Sequence, residues 1–202
     1  FSPADEPSQL AHGEAMLAVF REPGATVVAE DLGTVPDFVR ASLTRLQVPG
    51  YRVFRWERYW HGEGQPFCEP RDYPAVSVAT TGTHDTEPMA VWWEEAPADE
   101  RAQVARLETL RALAGDVEIS DHPFDGWLRD VLLEGLFVSG SNLLILPIQD
   151  VFGWRDRINV PGTVDDTNWS FALPWPVDEL CRTDEAIERQ AWLREAAARN
   201  GR

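Results

Sequence analysis

The chain has 202 residues, 44% of them hydrophobic, and a formal net charge of −16. That is enough for one substantial core or for part of a larger domain. All 18 basic residues are arginine, and the absence of lysine excludes both a Schiff-base lysine and a P-loop lysine. The strong negative charge argues against binding to the phosphate backbone of a nucleic acid and favours a neutral substrate.

No stretch approaches the length of about 18 consecutive apolar residues that a membrane span needs. The first segment, FSPADEPSQL, has neither a basic start nor an apolar run, so it does not read as a signal peptide. We therefore expect a cytoplasmic protein without a membrane partner. Cys68 and Cys181 are far apart and have no metal-ligand or CxxC spacing, so we expect reduced, structural thiols.

Short apolar runs rich in β-branched or aromatic residues alternate along the chain with segments of helical periodicity. In chain order, the pattern predicts a helix at 9–20, a strand at 26–29, a helix at 36–46, strands at 51–56 and 75–80, helices at 99–114 and 124–138, a strand at 142–147 and a helix at 184–200. Residues 1–24 then form a helix and lead-in, and residues 177–202 a C-terminal helix.

Apolar strands that alternate with helices indicate an α/β fold with a parallel sheet, covered on its outer face by helices. Four strand-helix units are half of a (β/α) barrel of the TIM type, which typically takes about 250 residues. We therefore expect residues 1–202 to form a single, partial domain. The pattern alone leaves open a complete four-stranded open sheet.

Polar side chains with carboxylates among them follow three of the four predicted strands. Glu30 and Asp31 follow the first, Asp85 ends the run TGTHD after the third, and Gln149 and Asp150 follow the fourth. In a parallel barrel, functional side chains project from the carboxyl ends of the strands. Several carboxylates in one crevice suit glycosidic chemistry, in which one donates a proton while another stays ionised.

The amino-acid sequences of four segments are more specific indicators of a family than the spacing of their carboxylates. They read VVAEDLG, TGTHDTEP followed by Trp92 and Trp93, LPIQDVFG, and INVPGT leading to Asn168 and Trp169. In this order, over residues 27–175, they resemble the 4-alpha-glucanotransferases called amylomaltases or disproportionating enzymes, a family of the α-amylase clan. The resemblance implies that the chain holds strands five to eight of the catalytic barrel.

The resemblance also implies roles for single residues. Glu30 matches the glutamate at the end of strand five, which is the general acid and base. Asp85 matches the aspartate at the end of strand seven, which holds sugar hydroxyls and stabilises the transition state. His84 resembles the histidine that binds the sugar at the cleavage point. Read without the resemblance, His84 fits a packed histidine, and Asp31 fits a cap or structural partner.

Other side chains are predicted to line the glucan groove, with aromatic rings stacking on the apolar faces of glucose units. These residues are Asp31, Trp56, Gln149, Asp150, Asn159, Pro161, Gly162, Asn168 and Trp169. Two segments depart from the family pattern: HDTE stands where HDND is frequent, and DDT precedes Asn168 where glycine-rich wording is commoner. Both departures bear on the preference for an acceptor.

A retaining enzyme of this clan needs a second carboxylate about 5 to 5.5 Å from the acid, and the family carries it on strand four. The 29 residues before Glu30 hold four acidic residues, none of which follows a strand-like run: Asp5, Glu6, Glu14 and Glu22. Asp121 imitates part of the family's Arg-x-Asp pattern but precedes a predicted helix, where capping explains it. We therefore expect the nucleophile to lie outside this chain.

The sequence thus predicts the C-terminal portion of a 4-alpha-glucanotransferase. The resemblance implies that it transfers α-1,4-glucan segments between maltodextrins by retaining double displacement, without a metal or an organic cofactor. The isolated chain should be inactive, and unpaired strands at the open barrel edge favour self-association. Two alternatives remain: an α-glucan hydrolase of the same clan and a non-catalytic glucan-binding module.

Overall fold

The computed structural model describes residues 3–180 and 182–202, so the prediction for the thiol of Cys181 falls outside the described residues. The described chain begins with helix α1 (Glu6–Arg21), whose first turn is capped by the side chain of Asp5. Helix α2 (Asp37–Leu46) packs against α1. Both helices were predicted, with α1 longer at each end than the apolar periodicity indicated.

The sheet of the described residues has three parallel strands in the order β1 (Gly50–Val53), β2 (Ser77–Thr80) and β3 (Leu143–Leu144). Gly50 lies opposite Ser77, and Val78 lies opposite Leu143. The predicted strands at 51–56, 75–80 and 142–147 are therefore confirmed in type but are shorter than predicted. β1 ends early because residues Phe54–Trp56 turn into a 3-10 helix.

The prediction of a full strand at 26–29 was wrong. Only Ala29 pairs, through a single parallel bridge to Gly50, and its N–H donates to Pro49 O at 2.8 Å. Val27 and Val28 stay partly exposed. In the register of this bridge, Val27 and Val28 would need to pair with Val48 and Pro49, but α2 ends only at Leu46 and Pro49 has no N–H to donate.

Between β2 and β3 the chain forms the helices that cover the sheet: α3 (Met89–Glu95), α4 (Ala98–Ala105), α5 (Glu108–Ala114) and α6 (Gly126–Phe137). The single helix predicted at 99–114 is two helices, broken at Leu107, whose ψ of 123° is extended. Glu69 explains the break, because its carboxylate accepts hydrogen bonds from the N–H groups of Glu108 and Thr109 and so caps α5.

The cap of α6 is Asp125, whose carboxylate accepts from Leu128 N at 2.9 Å. The expectation that Asp121 caps this helix was therefore wrong by four positions. The residue after Asp121, His122, accepts at its backbone carbonyl a hydrogen bond from the indole N–H of Trp93 at 2.9 Å. A cap supplied by the chain next to a helix comes from the residue before the first helical position, and periodicity locates that position only approximately.

The core lies between the sheet and the helices α3 to α6. Its largest fully buried side chain is Trp93, which is 1% exposed. The rings of Trp92 and Trp93 meet edge to face, with their centroids 6.0 Å apart. Leucines of α5 and α6, among them Leu110 and Leu132, fill the remaining space. This packing holds the loops at the carboxyl edge of the sheet on a rigid support.

After β3 come the short helix α7 (Ile148–Phe152) and, at the end of the chain, helix α8 (Asp184–Arg199). The guanidinium of Arg189 ties α8 to the rest of the protein, because its Nε donates to Val151 O at 2.8 Å and its Nη1 lies 2.9 Å from Asp130 Oδ1. Arg202 donates to the carbonyls of Phe137, Ser139 and Ser141. Helix α8 was predicted at 184–200, whereas α3 and α7 were not predicted.

Both ends of the sheet leave apolar surface uncovered. Beside β3, a groove of about 1060 Å³ separates the strand from α8 and is lined in part by Leu143, Leu146 and Leu193. At the other end, none of the residues of α1 is buried, and its Val19 and Phe20 are each 59% exposed. A helix of a globular domain normally buries one apolar face, and α1 buries none of its residues.

Candidate active site

A cleft of about 330 Å³ opens at the carboxyl edge of the sheet. Glu30, Gly82, Glu87 and Gln149 lie on its wall, so residues that follow the Ala29 bridge and the strands β2 and β3 meet there. Because carboxyl ends of parallel strands share one edge, the polar residues after them converge although they are far apart in sequence. With Ile158 also on the wall, all four predicted family motifs contribute to one cleft.

Glu30 follows directly on the bridge residue Ala29, and its side chain is exposed on the cleft. Asp31, its neighbour, points the other way and is 6% exposed. Its carboxylate accepts from Tyr51 N at 2.7 Å and lies 3.5 Å from Arg52 Nη1. Of this pair, Glu30 is therefore presented to a ligand, whereas Asp31, predicted to bind substrate, is bound by the protein.

Gly50 makes room for the buried Asp31. A Cβ atom at this position would come within 2.5 Å of the Asp31 carboxylate, so a larger residue would displace it. The hydrogen bond from Tyr51 N then anchors Asp31, two residues after the bridge, onto β1. This contact fixes the backbone from which Glu30 projects.

Asp85 and His84 lie on the loop that follows β2. Thr86 shapes this loop, because its hydroxyl accepts from Thr83 N and donates to Thr83 O, each at 3.0 Å. Asp85 Oδ1 accepts from Asn159 Nδ2 at 2.7 Å and lies 3.3 Å from His84 Nε2. Asp85 itself is not on the cleft wall, but its side chain is 41% exposed beside the wall residue His84, so the protein orients it and leaves it open to a ligand.

His84 is not a packed histidine. Its side chain is 42% exposed, and its ring centroid is 5.2 Å from that of Trp169. Trp169 is itself 65% exposed and adopts a left-handed backbone conformation, with φ of 62°. An exposed aromatic in a sparsely populated conformation is held there by its surroundings, here by a hydrogen bond from its N–H to Ile158 O at 2.7 Å.

The loop 159–169 carries the remaining predicted groove residues. Asn159 N donates to His84 O at 3.1 Å, so the loop is joined to the Asp85 segment through backbone as well as side chain. Asn168 Oδ1 accepts from Val160 N at 2.9 Å and closes the loop. Pro161 and Gly162, which has φ of 76°, form its exposed tip. Asn168 thus shapes the loop, and Asn159 and Trp169 face the Asp85 region.

Gln149 and Asp150 separate in role. Gln149 is 3% exposed and lines the cleft, and its Nε2 has no hydrogen-bond partner among the described residues. Asp150 is 1% exposed, and its carboxylate accepts from the hydroxyl of Thr81 and from Met89 N, so it caps α3. Burial raises the pKa of the Asp150 carboxyl, against those two hydrogen bonds. It was predicted to contact substrate, but the protein already engages both its oxygens.

Trp56 ends the 3-10 helix after β1 and is 39% exposed. It lies outside the cleft wall formed by the described residues. Its exposure suits stacking on a sugar, but its position indicates a place beyond the cleft rather than in it.

The family model for 4-alpha-glucanotransferases matches residues 6–177 of the chain. The chain belongs to the 4-alpha-glucanotransferase family. The 4-alpha-glucanotransferase of Chlamydia caviae is 30% identical over 191 residues, which are 91% of this chain and 35% of that protein. That of Thermus thermophilus is 32% identical over 152 residues, which are 73% of this chain and 28% of that protein. The family predicted from the four motifs is therefore confirmed.

Solved structures give the same fold. Amylomaltase from Streptococcus agalactiae, in complex with acarbose, has a TM-score of 0.64 at 22% identity, over 87% of this chain and 32% of its own. Amylomaltase from Corynebacterium glutamicum has a TM-score of 0.65 at 21% identity, over 86% and 29%. The chain spans about a third of the length of these family members.

Three side chains of the cleft region were not singled out from the sequence: Arg55, Glu87 and Arg157. Arg55 is 5% exposed and bonds to Glu87, which lines the cleft, and Arg157 binds the carbonyl of Asp85. A buried arginine within a strand-like run is the signal that could have found the first of them, because an unpaired charge is not buried there.

No helix in the described part of the chain is long and apolar enough to cross a membrane. Within residues 3–180 and 182–202, no three histidine, cysteine, aspartate or glutamate side chains come together as a group that could hold a metal ion. The cleft wall carries the carboxylates of Glu30 and Glu87, the amide of Gln149 and the imidazole of His84.

Proposed function

We propose that this chain is the acid-bearing part of a 4-alpha-glucanotransferase that transfers α-1,4-glucan segments between maltodextrins. The observation that carries the proposal is a pair of carboxylates at the carboxyl edge of one parallel sheet, in a chain of this family. Glu30 is exposed on the cleft, and Asp85 is oriented by Asn159. Such a pair suits a reaction in which one group exchanges a proton and another stabilises positive charge on the sugar.

Glu30 is the proposed general acid and base: it protonates the leaving glycosidic oxygen and later takes the proton of the incoming sugar hydroxyl. Asp85 stays ionised and binds sugar hydroxyls, supported by the amide of Asn159. His84 donates to the sugar at the cleavage point, and the exposed ring of Trp169 beside it gives a stacking surface. Gln149 Nε2 is the further donor in the cleft wall.

The finer architecture is that of strands five to eight of an eight-stranded barrel, formed by the segment ending at Ala29 and by β1, β2 and β3. The parallel register, the helices on one side and the uncovered apolar surface at both ends of the sheet support it. Residues 1–202 are then one partial catalytic domain. Residues 1–24 and 177–202 carry its first and last helices.

The nucleophile is proposed to lie outside this chain. The acidic residues before Glu30 belong to α1 and its ends: Asp5 caps the helix, Glu6 is in its first turn, Glu14 bonds to Ser42 and Arg45, and Glu22 follows its last turn. None of them follows a strand, where a carboxylate about 5 to 5.5 Å from Glu30 would be needed. The isolated chain is therefore catalytically inactive in this proposal.

Binding and catalysis by the isolated chain test the proposal separately. We expect the chain to bind acarbose in isothermal titration calorimetry and to produce no ladder of longer maltodextrins from maltotriose. Asp85→Ala should weaken acarbose binding about tenfold or more, because it removes a charged hydrogen-bond acceptor. Asp116→Ala, at an exposed aspartate of the loop after α5, is the matched control and should leave binding unchanged.

Equal binding by the Asp85 variant and its control would contradict the assigned site. A maltodextrin ladder from the chain alone would contradict the proposed absence of a nucleophile. Two alternatives differ in product: a hydrolase of the same clan releases glucose without redistributing chain lengths, and a glucan-binding module gives neither. The exposed, cleft-facing Glu30 favours an enzyme over a binding module.

Self-association of the isolated chain follows from the uncovered edge beside β3. Unpaired strand edges and apolar grooves are templates for a second copy. We expect light scattering after size-exclusion chromatography to give more than the monomer mass. Leu193→Asp, which adds a charge to the groove, should shift the chain toward monomer, whereas Val117→Asp at an exposed loop position should not. A wild-type chain that stays monomeric at high concentration would refute this.

A further inference from the structure

Next to the cleft, two arginines share one carboxylate. Arg55 Nη1 donates to Glu87 Oε1 at 2.5 Å, and its Nη2 donates to Glu87 O at 2.9 Å. The other oxygen of the same carboxylate, Glu87 Oε2, lies 3.6 Å from Arg157 Nη1. Glu87 is therefore held from the buried side by one guanidinium and from the exposed side by another.

Arg157 extends this contact to the proposed sugar-binding aspartate. Its Nη2 donates to Asp85 O at 2.7 Å, and its Nε donates to Asn159 O at 2.8 Å. Asn159 in turn donates from Nδ2 to Asp85 Oδ1 at 2.7 Å. The guanidinium thus joins the loop after β2 to the loop that begins at Asn159, and a continuous set of contacts runs from Arg55 to the Asp85 carboxylate.

Burying the charged side chain of Arg55 costs free energy that a purely structural contact would not need. It is 5% exposed, and its Nε has no hydrogen-bond partner among the described residues. Burial lowers the pKa of its guanidinium, and the neighbouring Glu87 offsets this only in part. Its guanidinium carbon lies 5.2 Å from the centre of the Trp92 ring. Buried ion pairs are often replaced by apolar residues without loss of stability, so a positional role fits this one better.

We propose that Arg55 and Glu87 are positioning residues that hold the Asp85 carboxylate in its sugar-binding orientation through Arg157 and Asn159. The proposal rests on the function proposed above and deepens it, because it names what fixes the charge that binds the sugar. Planar guanidinium groups suit this role, since each fixes several acceptors at once in a rigid geometry.

The side-chain amide of Asn159 reports on the proposal independently of activity. In ¹⁵N-labelled chain, its resonances are identified by their loss in Asn159→Asp, and Asp85→Asn gives their position without the carboxylate. We expect Glu87→Gln to move them toward the Asp85→Asn position. Glu94→Gln is the matched control, because Glu94 pairs with Arg155 at an exposed site, and it should leave them unmoved.

A second variant guards against a folding defect in the first. Arg157→Lys keeps the positive charge at a side chain that is 32% exposed, but an ammonium group cannot bridge Glu87, Asp85 and Asn159 in the same plane. It should move the Asn159 resonances in the same direction while the unfolding midpoint stays near that of the wild type. Unmoved resonances in a folded chain of either variant would overturn the proposal.

Affinity for acarbose separates this inference from the proposed function. Glu87→Gln should weaken binding about 2- to 10-fold, the weight of one oriented hydrogen bond, and Glu94→Gln should not. If the wild-type chain binds no acarbose while the Asn159 resonances still respond to Glu87→Gln, the proposed function fails and the positioning contacts stand. Binding by the wild type that Glu87→Gln leaves unchanged would overturn the positioning role.

Discussion

Glu30→Gln should lower the rate of maltotriose disproportionation about 10²- to 10⁴-fold in a protein that joins this chain to the strands completing the barrel. Gln keeps the size of the side chain but can neither donate nor accept the proton. We would make such a protein by fusing this chain to the part of the Chlamydia caviae relative that lies outside the matched region. The rate is read from the appearance of longer maltodextrins in mass spectra.

Glu22→Gln is the matched control, because Glu22 is an exposed residue at the end of α1. It should leave the rate within about twofold of the parent fusion, as surface substitutions usually do. Because the parent fusion must first form a ladder, a loss in the Glu30 variant is not confused with failure to assemble. Retention of more than about a tenth of the parent rate in Glu30→Gln would reject it as the acid and base.

Trp93→Ala should lower the free energy of unfolding of the chain by about 3–5 kcal/mol. Trp93 is 1% exposed in the centre of the core, so truncation leaves a cavity, and it also removes the donor to His122 O. Since domains of this size are stable by only about 5–15 kcal/mol, the loss would be visible as a large shift of the urea midpoint. The change is read from equilibrium denaturation followed by circular dichroism.

Two variants divide this loss into its causes. Trp93→Phe keeps part of the ring volume and removes the hydrogen bond, so it should cost less than Trp93→Ala. Trp60→Ala, at an indole that is 54% exposed in the loop after β1, should change the free energy of unfolding by at most about 0.5 kcal/mol. Equal losses in the free energy of unfolding for Trp93→Ala and Trp60→Ala would contradict the central place of Trp93 in the core.

Residues of the four motifs line one cleft, but the motifs did not separate side chains that are open to the cleft from those that the protein binds. Glu30 and Asp31 are adjacent in one motif, and alternation along an extended segment sends one to the cleft and the other to Arg52. Gln149 and Asp150 are neighbours in the helix α7 and both line the cleft, but the amide of Gln149 is open whereas the carboxylate of Asp150 caps α3. The sequence motif predicts the two adjacent polar residues, and the conformation of the backbone decides which of the two side chains is left without a protein partner.

Contacts between segments that are far apart in the chain could not be predicted from the sequence. Arg55 is in the 3-10 helix after β1, Glu87 follows β2 and Arg157 follows α7, and nothing in their local sequence predicts that these three segments meet. The reason is that side-chain contacts depend on loop conformations, which glycine, proline and capping preferences restrict but do not fix. The break at Leu107 has the same origin, because the residue that caps α5 is Glu69, far away in the chain.

By itself, the sequence determined the family, the parallel α/β class, most of the helices and the segments that carry Glu30, His84 and Gln149. Hydrophobic periodicity and short motifs encode these features locally. Only the tertiary structure decided that the run before Glu30 pairs through Ala29 alone, that the protein binds the carboxylates of Asp31 and Asp150, and that Asn159 donates to Asp85. These outcomes depend on which segments become neighbours, and pairing and burial are properties of the packed chain rather than of any stretch within it.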